Sequence, residues 1–413
     1  MKKLTLLALI VWQVNNLAAA QEINFSYSDS IQKYRTGMIV VKTIPNTKVA
    51  LKQLQHEFWF GAGLPNKIFN GNADQADIRK FKETFLDNFN ATVTENALKW
   101  GQMEPRKGEV KFTLVENMLS WSEENNIPIR GHNVYWGVDR FVQDWLKELD
   151  DEQLKLELEK RGRMIGARYK GRFAEYDFNN EMMLGDYYQE QLGPDITVKM
   201  ADWIKEGDPE AKLFMNDFDV LTGRRLYRFV DHVRELLDRG VSIDGLGVQG
   251  HLHGEDFNRD SLQNALNVLA RFDLPIRITE LFIPGGRSKF RKDRTLKPTP
   301  EEEQQFAQSM KDYYRICFAH PAVDGVILWG FWEDAMWMPA SALYRSDWTL
   351  TPSGEAYRDL VLGEWWTRFE GTSNQDGICA IPAFFGTHQV KVNGKVRKIN
   401  LKKENGSAYV VLE

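Results

Sequence analysis

Eight times between residues 58 and about 362, a short apolar run is followed by a longer stretch with helical spacing and charged faces. The runs are FWFGAG (58–63), FNATVT (89–94), IPIRGHNVYW (127–136), RFAEYDFNNE (172–181), AKLFMND (211–217), IDGLGVQGH (243–251), PIRITEL (275–281) and GVILWGF (325–331). Apolar runs of this length fit strands buried on both faces, and their alternation with helices fits βα units in a parallel sheet. Eight such units suffice to close a sheet on itself, so the repeat predicts an α/β chain folded as a (β/α)8 TIM barrel over 58–365. Two of the helices mark their own ends. Thr299, Pro300 and Glu302 form a capping box with proline at the first helical position, and a helix over 226–239 stops at Gly240.

In such a barrel, side chains that carry chemistry stand at the C-terminal ends of the strands and in the loops that follow. The run ends hold groups that a core would not choose: Thr94 and Glu95, His132 and Trp136, Asn180 and Glu181, Asn216 and Asp217, Gln249 and His251, Glu280, and Trp329. Thirteen tryptophans in a chain that is 27% charged suggest that some indoles line a cleft as flat apolar platforms. The net charge of −5 offers no broad cationic surface to a nucleic acid backbone, which argues against that class of partner. The only cysteines, Cys317 and Cys379, match no zinc or redox spacing. They read as two buried thiols, with one disulfide left open, and neither a metal nor a cofactor is expected.

The two ends of the chain read differently. Lys2 and Lys3 precede an apolar run over 4–12, and Ala18, Ala19 and Ala20 stand before Gln21, the layout of a cleavable secretory leader over 1–20. The expected location is therefore secreted or periplasmic. The run is too short to span a membrane, and no other segment approaches that length. Residues 21–57 read as a β flank alternating around a Pro-Asn turn, and 366–413 as short β runs broken by Asn-Gly turns at 393–394 and 405–406. The two flanks are expected to meet as one small β module beside the barrel, with 364–377 as the crossing segment.

Glu181 and Glu280 end the fourth and seventh runs, and these ends converge across a barrel mouth. Two facing carboxylates are the minimum equipment for cleaving a glycosidic bond, one protonating the departing oxygen while the other meets the positive sugar carbon. Leaving two glutamates desolvated at strand ends is costly unless they are used. The segments FNATVTENALKWGQMEPRKGEVKF (89–112), IPIRGHNVYW, YDFNNE (176–181), LFMNDFDV (213–220), GLGVQGHL (245–252), ITEL (278–281) and VILWGFWEDAMW (326–337) together resemble glycoside hydrolase family 10, the retaining endo-1,4-β-xylanases. The wording RGHNVYW and NNEM is nearest the branch with plant and related bacterial members.

The resemblance implies cleavage of internal linkages of xylan or xylo-oligosaccharides, with Glu181 as acid/base and Glu280 as the nucleophile. It implies that Asn180 binds the 2-hydroxyl of the cleaved sugar, that Gln249 and His251 contact the nucleophile and that sugar, and that Glu95, Asn96 and Lys99 bind neighbouring hydroxyls. His132 and Trp136 would line the same wall, and Trp329 and Trp337 the floor. Three positions depart from the family pattern: Phe282 stands where Asp is common, Gly137 where His is common, and Tyr176 where Trp is usual. An exo-acting glycosidase on the same barrel and a carbohydrate-binding pseudoenzyme remain as alternatives. Finally, GGRSKFRKDRTLK (285–297) carries six cations against Asp293 in the loop after the nucleophile. It is either a solvated loop balanced by the acids at 301–303 or a reader of glucuronic acid groups on the substrate.

Overall fold

The computed structural model describes residues 27–250 and 254–412. The leader assigned to 1–20 and His251 lie outside the described residues. After a helix, Tyr27–Arg35, come strands β1 (Thr36–Lys42) and β2 (Lys48–His56). Eight parallel strands follow: β3 (Trp59–Gly63), β4 (Ala91–Val93), β5 (Ile129–Tyr135), β6 (Glu175–Asn180), β7 (Leu213–Asp217), β8 (Gly245–Gln249), β9 (Ile276–Leu281) and β10 (Val323–Leu328). They close in sequence order into a barrel, with β10 pairing back onto β3. Every apolar run of the eightfold repeat contributes one of these strands. The helix Pro300–Ala319 begins with the expected capping box of Thr299 and Glu302, and Leu226–Asp238 ends just before Gly240, whose φ of +89° turns the chain.

β5, β6, β7, β8 and β9 are buried along their whole length, as expected for strands covered by helices outside and side chains inside. The inside is not purely apolar. Arg130 of β5 pairs with both Glu175 and Asp177 of β6, and Arg277 of β9 holds Glu175 by bonds of 3.1 and 3.0 Å. All four are buried. Charges this desolvated survive because each has opposite charge within hydrogen-bond reach, and removing one partner of such a set typically costs about 3–5 kcal/mol. The network supports the site above it, since Asp177 also holds His132.

The flanking strands form two sheets. β1 pairs antiparallel with β12 (Ile378–Phe384) and parallel with β15 (Ser407–Val411). β2 pairs with β11 (Arg368–Thr372) and β13 (Gly386–Val392), and β13 with β14 (Lys395–Leu401). Thus β1 and β2, joined through a turn at Asn46 (φ +58°), enter different sheets, and an apolar cluster including Ile39, Val41, Leu51, Ile381 and Val390 is shared between them. The Asn393–Gly394 pair makes the β13–β14 hairpin with positive φ at both residues, the geometry this dipeptide favours.

Two details differ from the sequence reading. The N-terminal flank is not wholly β, because Tyr27–Arg35 is a helix. It ends in Arg35, which donates to the carbonyls of Phe318, His320 and Val323 at 2.5–2.7 Å and so pins the flank to the barrel. The segment 364–377 does not merely cross, because β11 within it is an edge strand of the larger sheet. Cys317 and Cys379 are both buried free thiols. Among the described residues, no helix is long and apolar enough to cross a membrane.

Candidate active site

The strand registers set the ends of the barrel level: Asn180 lies beside Asn216 across β6 and β7, and Gln249 beside Thr279 across β8 and β9. A cleft of about 420 Å³ opens there, and Glu95, Asn96, Lys99, His132, Trp136, Asn180, Glu181, Glu280, Trp329 and Trp337 all line it. Gln249 joins them through its amide, which donates to Glu181 Oε1 at 3.0 Å. The structure thus brings together every described residue singled out from the sequence for the site.

The three cleft glutamates share an uncommon backbone. Glu95, Glu181 and Glu280 have φ of +47°, +58° and +56°, in the left-handed region that non-glycine residues seldom enter. Such a conformation costs about 1–3 kcal/mol per residue and persists where surrounding structure enforces it. At Glu181 the enforcing contact is visible. The Asp217 carboxylate accepts from the Met183 N–H at 3.0 Å, fixing the short turn Met182–Leu184 that follows the glutamate.

Hydrogen bonds orient the rest. Asn216 donates to both Asn180 Oδ1 (2.9 Å) and Glu280 Oε1 (3.1 Å), while its own carbonyl accepts from Thr279 at 2.7 Å. With its oxygen so engaged, Asn180 offers its NH₂ group to the cleft. His132 Nδ1–H donates to Asp177 at 2.8 Å, and the ring meets Trp329 edge-on at 5.1 Å. Lys99 Nζ donates to Asn96 Oδ1 at 2.8 Å and lies 4.8 Å from the Trp136 ring centre. Trp136 in turn stacks on Phe141 at 3.7 Å. Trp329 is nearly buried, whereas Trp337 is half-buried with Phe282 packed edge-on at 5.3 Å.

Burial dominates the electrostatics. It lowers His132 to about 4, so the ring is neutral near pH 7 despite Asp177. It raises Glu95 to about 7 against Lys99 and the Asn96 amide. Glu181 is raised by burial, opposed by the Gln249 hydrogen bond and the Lys99 charge. Glu280 is pushed well above the usual carboxylate range by burial and by repulsion from Glu181, with Lys99 opposing. Two like charges that repel in this way titrate as a pair and hold one proton over an extended pH range.

The departures acquire physical reasons. A Cβ on Gly137 would stand 2.2 Å from Asp186 Oδ1, so Asp186 occupies the space a side chain there would need. Phe282 is fully buried and supports Trp337 instead of carrying a charge. Tyr176 is a core residue whose ring packs against Gly131. Sequence reasoning passed over Arg140, Phe141, Leu184 and Phe218, which line the cleft together with Arg291 of the basic stretch. All come from loops beyond the strand ends, where a repeat of apolar runs carries no signal. It also passed over Asp177 and Arg130, which the period-2 placement of charges in RGH and EYD could have revealed as pointing into the barrel.

Comparisons with known proteins agree with this geometry. The family model for glycosyl hydrolase family 10 matches residues 51–357. Anti-sigma-I factor RsgI6 of Acetivibrio thermocellus is 30% identical over 373 residues, which are 89% of this chain and 46% of that protein. Endo-1,4-beta-xylanase 1 of Arabidopsis thaliana is 30% identical over 374 residues, 88% of this chain and 37% of that protein. This chain therefore spans less than half the length of these two curated relatives. Among solved structures, xylanase 10B from Thermotoga petrophila RKU-1 in complex with xylobiose is similar with a TM-score of 0.66 at 26% identity, covering 75% of this chain and 95% of that one. A family match over most of the sequence, on a barrel whose mouth gathers the glutamates that the motifs singled out, leads to one assignment: the chain belongs to glycosyl hydrolase family 10.

Proposed function

We propose that this chain is an endo-acting β-1,4-xylanase that cleaves by double displacement with retention. The observation that carries the reading is the pairing of Glu181 and Glu280, contributed by β6 and β9 to one tryptophan-lined cleft and close enough to repel one another. In the reactive form the shared proton resides on Glu181. Glu280 attacks the anomeric carbon while Glu181 gives its proton to the glycosidic oxygen, so one C–O bond forms as the other breaks. Glu181, now ionised, takes a proton from water, whose oxygen displaces Glu280 and restores both groups. The Asn180 NH₂ suits the 2-hydroxyl of the reacting sugar. Asn96, Lys99 and Glu95 present donors and acceptors to further hydroxyls, and Trp329 and Trp337 give the rings apolar faces. The names of the plant relatives and the xylobiose complex of the bacterial neighbour support xylan as substrate.

Incubation with glucuronoxylan, arabinoxylan, cellulose and mannan tests the reading. Xylan viscosity is expected to fall early, before much reducing sugar appears, with mixed oligosaccharides as products and little action on cellulose or mannan. Release of single sugars from chain ends, or a preference for cellulose or mannan, would overturn it.

A further inference from the structure

The basic stretch 285–297 resolves into two sets of cations. Arg287 pairs with Asp219, which Arg224 also approaches at 3.6 Å. Lys289 pairs with Glu302 at 2.5 Å, and Lys297 pairs with Glu333. Each of these three has a carboxylate partner within the fold. Among the described residues, no carboxylate pairs with Arg291, Lys292 or Arg294. Of these three, only Arg291 lines the cleft.

Arg291 is also held in place. It sits on the single helical turn Lys289–Lys292, beside the fully buried Phe290, and its guanidinium lies 4.5 Å from the centre of the Trp337 ring. Arg294 lies over the same indole at 5.4 Å, outside the cleft lining. Stacking on an indole fixes a guanidinium plane while leaving its N–H edges open, and the fork of those edges matches a carboxylate. A permanent charge set on the tryptophan proposed as sugar platform points to an anionic part of the substrate.

We infer that Arg291 reads a carboxylate on the substrate chain, binding an acidic sugar substituent carried by xylan, with Arg294 adding charge behind it. This inference rests on the xylan-cleaving reading given above. Because Arg291 is half-exposed, its attraction is open to screening by salt.

The test compares kcat/KM on glucuronic acid-bearing xylo-oligosaccharides with kcat/KM on undecorated ones of the same length. In Arg291→Gln the ratio of acidic to undecorated is expected to fall about five-fold, a change of the size an accessible charged pair supports. Added salt should lower the ratio of the unaltered protein and leave that of Arg291→Gln nearly constant. Arg294→Gln, on the same indole but outside the cleft, should move the ratio by less than about two-fold. An unchanged ratio in Arg291→Gln, whether both substrates lose equally or neither does, would overturn the inference and leave Arg291 as a support for Trp337. An unaltered protein inactive on both substrates would instead overturn the xylanase reading itself, so the two failures are distinguishable.

Discussion

Replacing Glu280 with alanine is expected to lower turnover of every substrate, xylan and activated aryl glycoside alike, by about 10⁵-fold or more. The side chain proposed to form the covalent intermediate is then absent, and no change of leaving group compensates. The loss should not come from unfolding. Removing Glu280 relieves a buried carboxyl that repels Glu181, and Asn216 keeps its bond to Asn180. Steady-state rates on both substrate classes, with far-UV circular dichroism to verify the fold, check this outcome. Residual aryl glycoside turnover within about a hundred-fold of the unaltered protein would remove Glu280 from the nucleophile's role.

Glu181→Ala is expected to discriminate between substrates. Cleavage of xylan needs a proton on the departing oxygen and should fall by about 10³-fold, within the range that general acid catalysis supplies. An aryl leaving group of low basicity needs no proton in the first step, so a burst of aryl alcohol should survive. The slow step is then hydrolysis of the intermediate, which lacks its base. The pH profile adds a second readout. Burial raises Glu181, so in the unaltered protein xylan cleavage should persist above the ordinary carboxylate range and decline as rising pH strips that proton. On the acid side, activity falls as the pair takes up its second proton and no carboxylate is left to attack. In Glu181→Ala the alkaline decline should vanish from the burst of aryl release while the acid limb remains. Equal losses on both substrates, or an unchanged alkaline limb, would reverse the assignment of roles.

Much of this architecture was legible before any coordinates. Strands buried on both faces leave contiguous apolar runs, and eight of them, with helices between, specify closure. Site residues were legible for a related reason: Glu181, Glu280 and Gln249 are polar where a strand's burial should continue. What stayed hidden falls into two physical kinds. Tyr27–Arg35 becomes a helix largely through what it docks on, since Arg35 finds its carbonyl partners nearly three hundred residues away. Likewise β11 is specified by its pairing with β2 rather than by any strong pattern of its own. The other kind is the second layer of the site. Asn216 stood at a strand end among other polar groups, but its position as the clamp between Asn180 and Glu280 depends on register across three strands. In the basic loop the sequence supplied the charges but not their partners, and only geometry separates the paired Arg287 and Lys289 from Arg291.

The central claim is that Glu280 and Glu181 act as nucleophile and acid/base in a double displacement. Proton NMR of the products, recorded in the first minutes of xylo-oligosaccharide cleavage before mutarotation, tests it most directly. Two inversions at the anomeric carbon predict that the β-anomer appears first and the α-anomer grows only later. An α-anomer formed first from this β-linked substrate would mean a single displacement by water and would contradict the account.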